Sequence, residues 1–85
     1  MKVQLLYFAW VREKAGLDEE RVELPDELRT VADLLEWQKK RGHHYSEAFA
    51  DTAAIRVALD QQHASPDSPL ASAKEIAFFP PVTGG

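Results

Sequence analysis

The chain has 85 residues, no cysteine, 45% hydrophobic and 28% charged residues, and a net charge of −4 at pH 7. That length supports one small domain with a single core, and the composition is far from that of disordered chains. Disulfides and thiolate metal sites are excluded, an acidic chain with ten scattered Lys and Arg is a poor ligand for nucleic-acid phosphates, and no apolar run approaches the ~18 residues of a membrane helix.

The opening run Met1–Leu6 carries one Lys and a Gln and lacks a small-residue cleavage site. It reads as a strand and not as a signal peptide, so a cytoplasmic chain is expected. Residues 2–12 are rich in β-branched and aromatic side chains and predict one long first strand. Alternation puts Val3, Leu5, Tyr7 and Ala9 on one face and Gln4, Leu6, Phe8 and Trp10 on the other. Both faces are apolar, so the strand is central or its second face meets something else. Gly16-Leu17-Asp18 is a turn signal, Glu20–Leu24 a second short strand, and Pro25-Asp26 its end. The two strands make a hairpin with a long loop, in which Asp18, Glu19 and Glu20 read as a solvated acidic turn.

Thr30-Val31-Ala32-Asp33 resembles a capping box with Asp in the usual Glu position. Val31, Leu34, Leu35 and Gln38 then follow helical spacing, Trp37 reads as a partly buried anchor, and Lys39, Lys40 and Arg41 suit a helix C-terminus, with Gly42 as the stop. A short helix over 46–51, capped by Ser46, would bury Phe49. A third strand over 54–59, a turn-rich loop over 65–69 and a last strand over 74–79 follow, with space for one more short strand between. His43, His44 and His63 match no zinc spacing and read as solvated, so no metal is expected. No serine triad, phosphate loop or carboxylate pair is present, so the chain is not expected to be catalytic alone.

Strand, strand, helix, short helix and further strands make an α+β domain of β-grasp type. One main helix crosses a mixed sheet of four to five strands, with the first and last strands parallel at its centre. The expected core is Val3, Leu5, Tyr7, Val22, Val31, Leu34, Leu35, Phe49, Val57, Leu59, Ile76 and Phe78. Residues 1–80 would be the domain and 81–85 a flexible tail. Pro80-Pro81 cannot donate ladder hydrogen bonds and is stiff and extended. Thr83, Gly84 and Gly85 follow, and glycine, lacking Cβ, can enter a channel closed to other residues. Such a tail is a substrate for an activating partner. If the chain handles sulfur, the absence of cysteine leaves a carboxylate as the place for it.

Residues 77–85, Ala-Phe-Phe-Pro-Pro-Val-Thr-Gly-Gly, resemble the C-terminal signature of the small subunits of molybdopterin synthase, the MoaD-like sulfur carriers of the ubiquitin-like β-grasp group. Val3–Ala9 with Arg12-Glu13, Thr30–Leu35 and Asp67–Leu70 match the same family, so the resemblance spans the chain. It implies that Gly85 is the reacting position. A MoeB-like E1 enzyme using MgATP would adenylate it, and a sulfur donor protein would convert it to a thiocarboxylate. The tail would then enter a MoaE-like large subunit and give sulfur to cyclic pyranopterin monophosphate in molybdenum cofactor biosynthesis. Gly84 and Thr83 would thread the partner's channel, and Phe8, Arg12, Phe79, Pro80, Pro81 and Val82 would form the partner interface. The chain itself would hold no cofactor. The Asp60-Gln61-Gln62-His63 segment and Ser72–Glu75 depart from the family's usual Asn and Gly at those places. Alternatives are a carrier for thiamine or a similar pathway, a ubiquitin-like modifier, and a non-covalent β-grasp adaptor.

Overall fold

A computed structural model describes residues 1–81. Five strands form one mixed sheet in the order β2-β1-β5-β3-β4, with β1 at Lys2–Tyr7, β2 at Glu19–Glu23, β3 at Arg56–Leu59, β4 at Gln62–Ala64 and β5 at Glu75–Phe79. β1 and β5 run parallel in the interior of the sheet, while β1–β2, β3–β5 and β3–β4 are antiparallel. The fold is the expected β-grasp. Helices α1 (Ala9–Ala15), α2 (Val31–Lys39) and α3 (His43–Ala48) and a 3-10 turn at Thr52–Ala54 accompany the sheet. Among the described residues, no helix is long and apolar enough to cross a membrane.

The first strand stops at Tyr7, five residues before the predicted end at Arg12. Ala9–Ala15 is helical instead, with Val11 and Ala15 buried at i,i+4 spacing and Gly16 as a left-handed C-cap at φ 85°. The hairpin loop therefore holds a helix, and Trp10 and Arg12 belong to α1. The capping box at Thr30 forms as read. Asp33 N–H donates to Thr30 Oγ1 at 3.2 Å, and the Asp33 carboxylate accepts from the Thr30 and Arg29 amides at 3.2 and 3.0 Å.

Two further boundaries move. The short helix covers His43–Ala48, earlier than 46–51, starts from Gly42 at φ 139° and leaves Phe49 as its C-cap. Gly42 thus opens α3, while Lys40 caps α2. The short extra strand exists as β4, and Asp60 and Gln61 between β3 and β4 both take positive φ, as a two-residue hairpin turn of type I′ requires. The Asp60 carboxylate accepts from the backbone amides of Lys74 and Glu75 at 2.9 and 3.0 Å and so anchors the start of β5.

The inward face of the sheet packs Val3, Leu5, Tyr7, Ile76, Phe78 and Val57 against Val31, Leu34, Leu35 and Phe49, all buried. Phe49 stands edge-on to Phe78 at 5.1 Å and to Tyr7 at 6.3 Å, and Tyr7 stacks on Phe78 at 5.5 Å. Val22 and Leu59 are only partly buried, whereas Val11, Leu24, Ile55 and Leu70 complete the core.

Candidate functional site

Parallel pairing sets Leu6 beside Ala77 and Tyr7 beside Phe78. Tyr7 and Phe78 point inward, so the residues after them, Phe8 and Phe79, come to the opposite, outward side of the sheet. The Phe8 amide donates to the Phe78 carbonyl at 3.1 Å, which keeps the two chain segments together at this end. Among the described residues Phe8 is the large apolar side chain left in solvent, 48% exposed, and Phe79, Pro80 and Pro81, at and just past the end of β5, are half-buried. Ala9 then takes φ 52°, a left-handed value that turns the backbone sharply into α1.

Arg12 lies one turn along α1 from Phe8 and approaches Asp18 at 3.8 Å. Trp10 leaves the patch. It packs against the core from α1 and carries the Lys14 ammonium over its ring at 5.1 Å. The outward row expected as Leu6, Phe8 and Trp10 is therefore Leu6 and Phe8, joined by Ala77 and Phe79. The roles expected above of Val82, Thr83, Gly84 and Gly85 fall on residues outside the described ones.

His63, read in the sequence as solvated, joins this face. Its ring stands edge-on to Phe79 at 5.4 Å and 89°. The signal that places it there is the Asp60-Gln61 turn, which fixes His63 opposite Ala58. Trp37 is a partly buried anchor as read, with the Arg41 guanidinium over its ring at 4.8 Å.

Beneath the patch, a polar network fixes the inner side. Glu20 belongs to β2 and faces inward, in contrast to the solvated turn read for it. Arg41 Nη1 and Nη2 donate to its two oxygens at 2.7 and 2.9 Å, and Tyr7 Oη donates to Oε2 at 2.6 Å. Tyr45 Oη reaches the same carboxylate, and Gln38 Nε2 donates to Tyr7 Oη at 2.9 Å. Burial alone would raise the Glu20 carboxyl, but the hydrogen bonds from Arg41 and Tyr7 outweigh it and hold the group below its usual range. Burial and the neighbouring carboxylate push the Tyr7 phenol well above its ordinary value. Every polar atom here has a partner, so the network supports the site and offers no open ligand position.

A hollow of about 510 Å³ opens at the other end of the sheet, lined by Lys2, Val3, Gln4, Arg21, Val22, Glu23 and Lys74, far from Phe8. Among the described residues, no group of three or more His, Cys, Asp and Glu side chains could hold a metal ion.

The sheet order and the crossing helix define the chain as a ubiquitin-like β-grasp domain, and the comparisons narrow it. The chain belongs to the ThiS family, whose sequence pattern matches residues 5–85. It is 36% identical over 83 residues to the molybdopterin synthase sulfur carrier subunit of Escherichia coli, covering 98% of this chain and 99% of that one. The sulfur carrier subunit of Chlamydomonas reinhardtii is 36% identical over 87 residues, with 100% of both chains covered. Among solved structures, a candidate molybdopterin converting factor subunit 1 from Pyrococcus furiosus matches with a TM-score of 0.75 at 36% identity, over 96% of this chain and 99% of its own. The SAMP1 protein of Haloferax volcanii matches with a TM-score of 0.71 at 26% identity over all of both chains.

Proposed function

We propose that the protein is the sulfur-carrier subunit of a molybdopterin synthase, working in the cytoplasm with a MoaE-like large subunit. The observation that carries this reading is the outward patch of Phe8, Phe79, Pro80 and Pro81, set where β5 leaves the sheet in a chain that matches such carriers along its whole length. In this reading the chain supplies a docking face and an acyl end, and no catalytic group.

The chemistry falls on the Gly85 carboxylate. A carboxylate is a poor electrophile. Its oxygen attacks the α-phosphorus of MgATP in a MoeB-like E1 partner, pyrophosphate leaves, and the acyl adenylate forms. Sulfur from a donor protein, delivered at the oxidation level of sulfide, then displaces AMP and leaves a thiocarboxylate. Gly84 and Thr83 thread the channel of the large subunit, where the sulfur passes to cyclic pyranopterin monophosphate. Phe8, Arg12, Phe79, Pro80, Pro81 and Val82 bind the partner and hold the tail's base in register with that channel. ATP and magnesium belong to the activating enzyme.

The test is an intact mass after incubation with an E1-like enzyme, MgATP and a sulfur source. Exchange of one oxygen for sulfur is the expected result, lost in a chain without Gly85. An unchanged mass with competent partners would favour a non-covalent adaptor. The likeness to SAMP1 supports a second reading, a ubiquitin-like modifier. In that case the activated Gly85 would appear as an amide on a lysine amine of another protein, and sulfur transfer to the pterin precursor would fail. A carrier for thiamine or a related product would be thiocarboxylated yet inert towards the large subunit.

A further inference from the structure

β2 is an edge of the sheet and, among the described residues, pairs with β1 alone. The ladder to β1 fixes which of its backbone groups stay open. Leu24 N–H donates to the Met1 carbonyl at 2.8 Å, the Met1 ammonium to the Leu24 carbonyl at 3.0 Å, and Tyr7 N–H to the Asp18 carbonyl at 2.8 Å. Antiparallel pairing alternates along a strand. Asp18, Glu20, Val22 and Leu24 therefore turn their N–H and C=O groups towards β1, and Glu19, Arg21 and Glu23 turn theirs away from the sheet. Such a row of open groups is a template for another strand. Charge of one sign on an edge keeps copies apart, but here the exposed side chains alternate as Glu19, Arg21 and Glu23. One Glu23 oxygen takes the Met1 ammonium at 2.7 Å, and the side chain stays 63% exposed.

We propose that β2 pairs antiparallel with β2 of a second copy of this chain, Arg21 of each copy standing opposite Glu23 of the other. A two-fold axis requires antiparallel strands, and the open groups must meet open groups, so few registers exist. An axis at Arg21 sets Arg21 against Arg21 and Glu19 against Glu23, all like charges. An axis at Glu19 or at Glu23 sets carboxylate against carboxylate. An axis at Glu20 matches Glu19 with Arg21, but it puts the two inward Glu20 carboxylates, each already bound by Arg41 and Tyr7, opposite each other. An axis at Val22 matches Arg21 with Glu23 twice and sets the half-buried Val22 of one copy against that of the other. That register closes about four main-chain hydrogen bonds, and Pro25, without an N–H, ends the ladder beyond them. A joint of this kind buries less than the roughly 1,200 Å² of a standard interface, so the dimer is weak and forms with concentration. The axis stands normal to the sheet, which puts both outward faces on one side, and β1 separates the joint from β5. Pairing therefore leaves Phe8 and the end of β5 uncovered in each copy. The inference goes beyond the sulfur-carrier reading and does not depend on it.

The experiment is sedimentation equilibrium of the full chain from about 10 μM to about 1 mM, the range in which so small an interface fills. A monomer–dimer equilibrium is expected, weaker at high salt. Arg21→Glu makes the edge wholly acidic and should weaken dimerisation at least tenfold. Adding Glu23→Arg to it exchanges the two charges in register and should restore dimerisation, which a general effect of charge would not do. Hydrogen exchange on the parent needs no variant and decides the matter if the double variant does not fold. The open Arg21 and Glu23 amides should exchange more slowly as concentration rises. Phe8→Ser should dimerise as the parent does, and loss of dimerisation there would move the contact to the outward patch and overturn the proposal. So would a parent that stays monomeric at the highest concentration, exchange at Arg21 and Glu23 that ignores concentration, or a folded double variant that stays monomeric. None of these results bears on thiocarboxylation of Gly85, which the intact mass reads separately.

Discussion

Tyr7, Arg41 and Tyr45 all converge on Glu20, so this one carboxylate ties β1 and β2 to the link after α2 and to the start of α3. Glu20→Gln leaves the Arg41 guanidinium half-buried without a counter-charge. It should cost about 2–3 kcal/mol in urea unfolding. Tyr7→Phe removes one hydroxyl, strands the Gln38 amide and should cost about 1–2 kcal/mol. Equal stability of Glu20→Gln and the parent would show that the pair is solvated in solution. Ala9 offers the opposite case. Its φ of 52° suits glycine, so Ala9→Gly should raise the urea midpoint, worth about 0.5–1 kcal/mol after the added freedom of the unfolded chain. The same substitution relaxes the turn that presents Phe8, so weaker partner binding at higher stability is the expected pairing of effects.

At the scale of elements, α2 was legible because its cap and its stripe agree. Thr30 and Asp33 make the box, and Val31, Leu34, Leu35 and Gln38 are buried at the spacing that predicts them. Thr30→Ala should cost about 1 kcal/mol, and a change below a few tenths would show that α2 is held by packing alone. α1 was not legible from alternation. Leu6, Phe8 and Trp10 read equally well as one strand face, and seven residues are too few for a period of 3.6 to declare itself. The signal that could have decided it is Gly16 after Ala-Trp-Val-Arg-Glu-Lys-Ala, good helix formers ending at a left-handed cap. On the outward face, Phe8 and Phe79 could be read from strand pairing. His63 and Ala58 could not, because their alignment depends on the turn at Asp60-Gln61 and on two antiparallel registers that no local pattern encodes.

For the whole molecule, acidity is the informative variable. Hydrogen bonds from the Lys74 and Glu75 amides hold Asp60 low, and those from Arg29 and Thr30 hold Asp33 low. The Met1 ammonium holds Glu23 low, and Glu20 is low despite its burial. These four carboxyls link the N-terminus, β2, the cap of α2 and the start of β5, so protonating them loosens several joints of the sheet at once. Each folded value lies below the unfolded one. Their stabilisation is therefore complete above the unfolded carboxyl range, about pH 4–4.5, and is lost as pH falls through the folded values. Tyr7 acts at the other extreme. Its folded value is raised, so its contribution is present below about pH 10 and is lost as the unfolded phenol ionises. The urea midpoint should form a plateau between about pH 5.5 and 9 and fall on both sides, and Tyr7→Phe should shallow the alkaline fall and, by removing one of the hydrogen bonds that hold Glu20 low, the acid one to a smaller extent. A midpoint that rises on acidification from pH 5 to pH 3 would mean that these carboxyls are not held by the hydrogen bonds described.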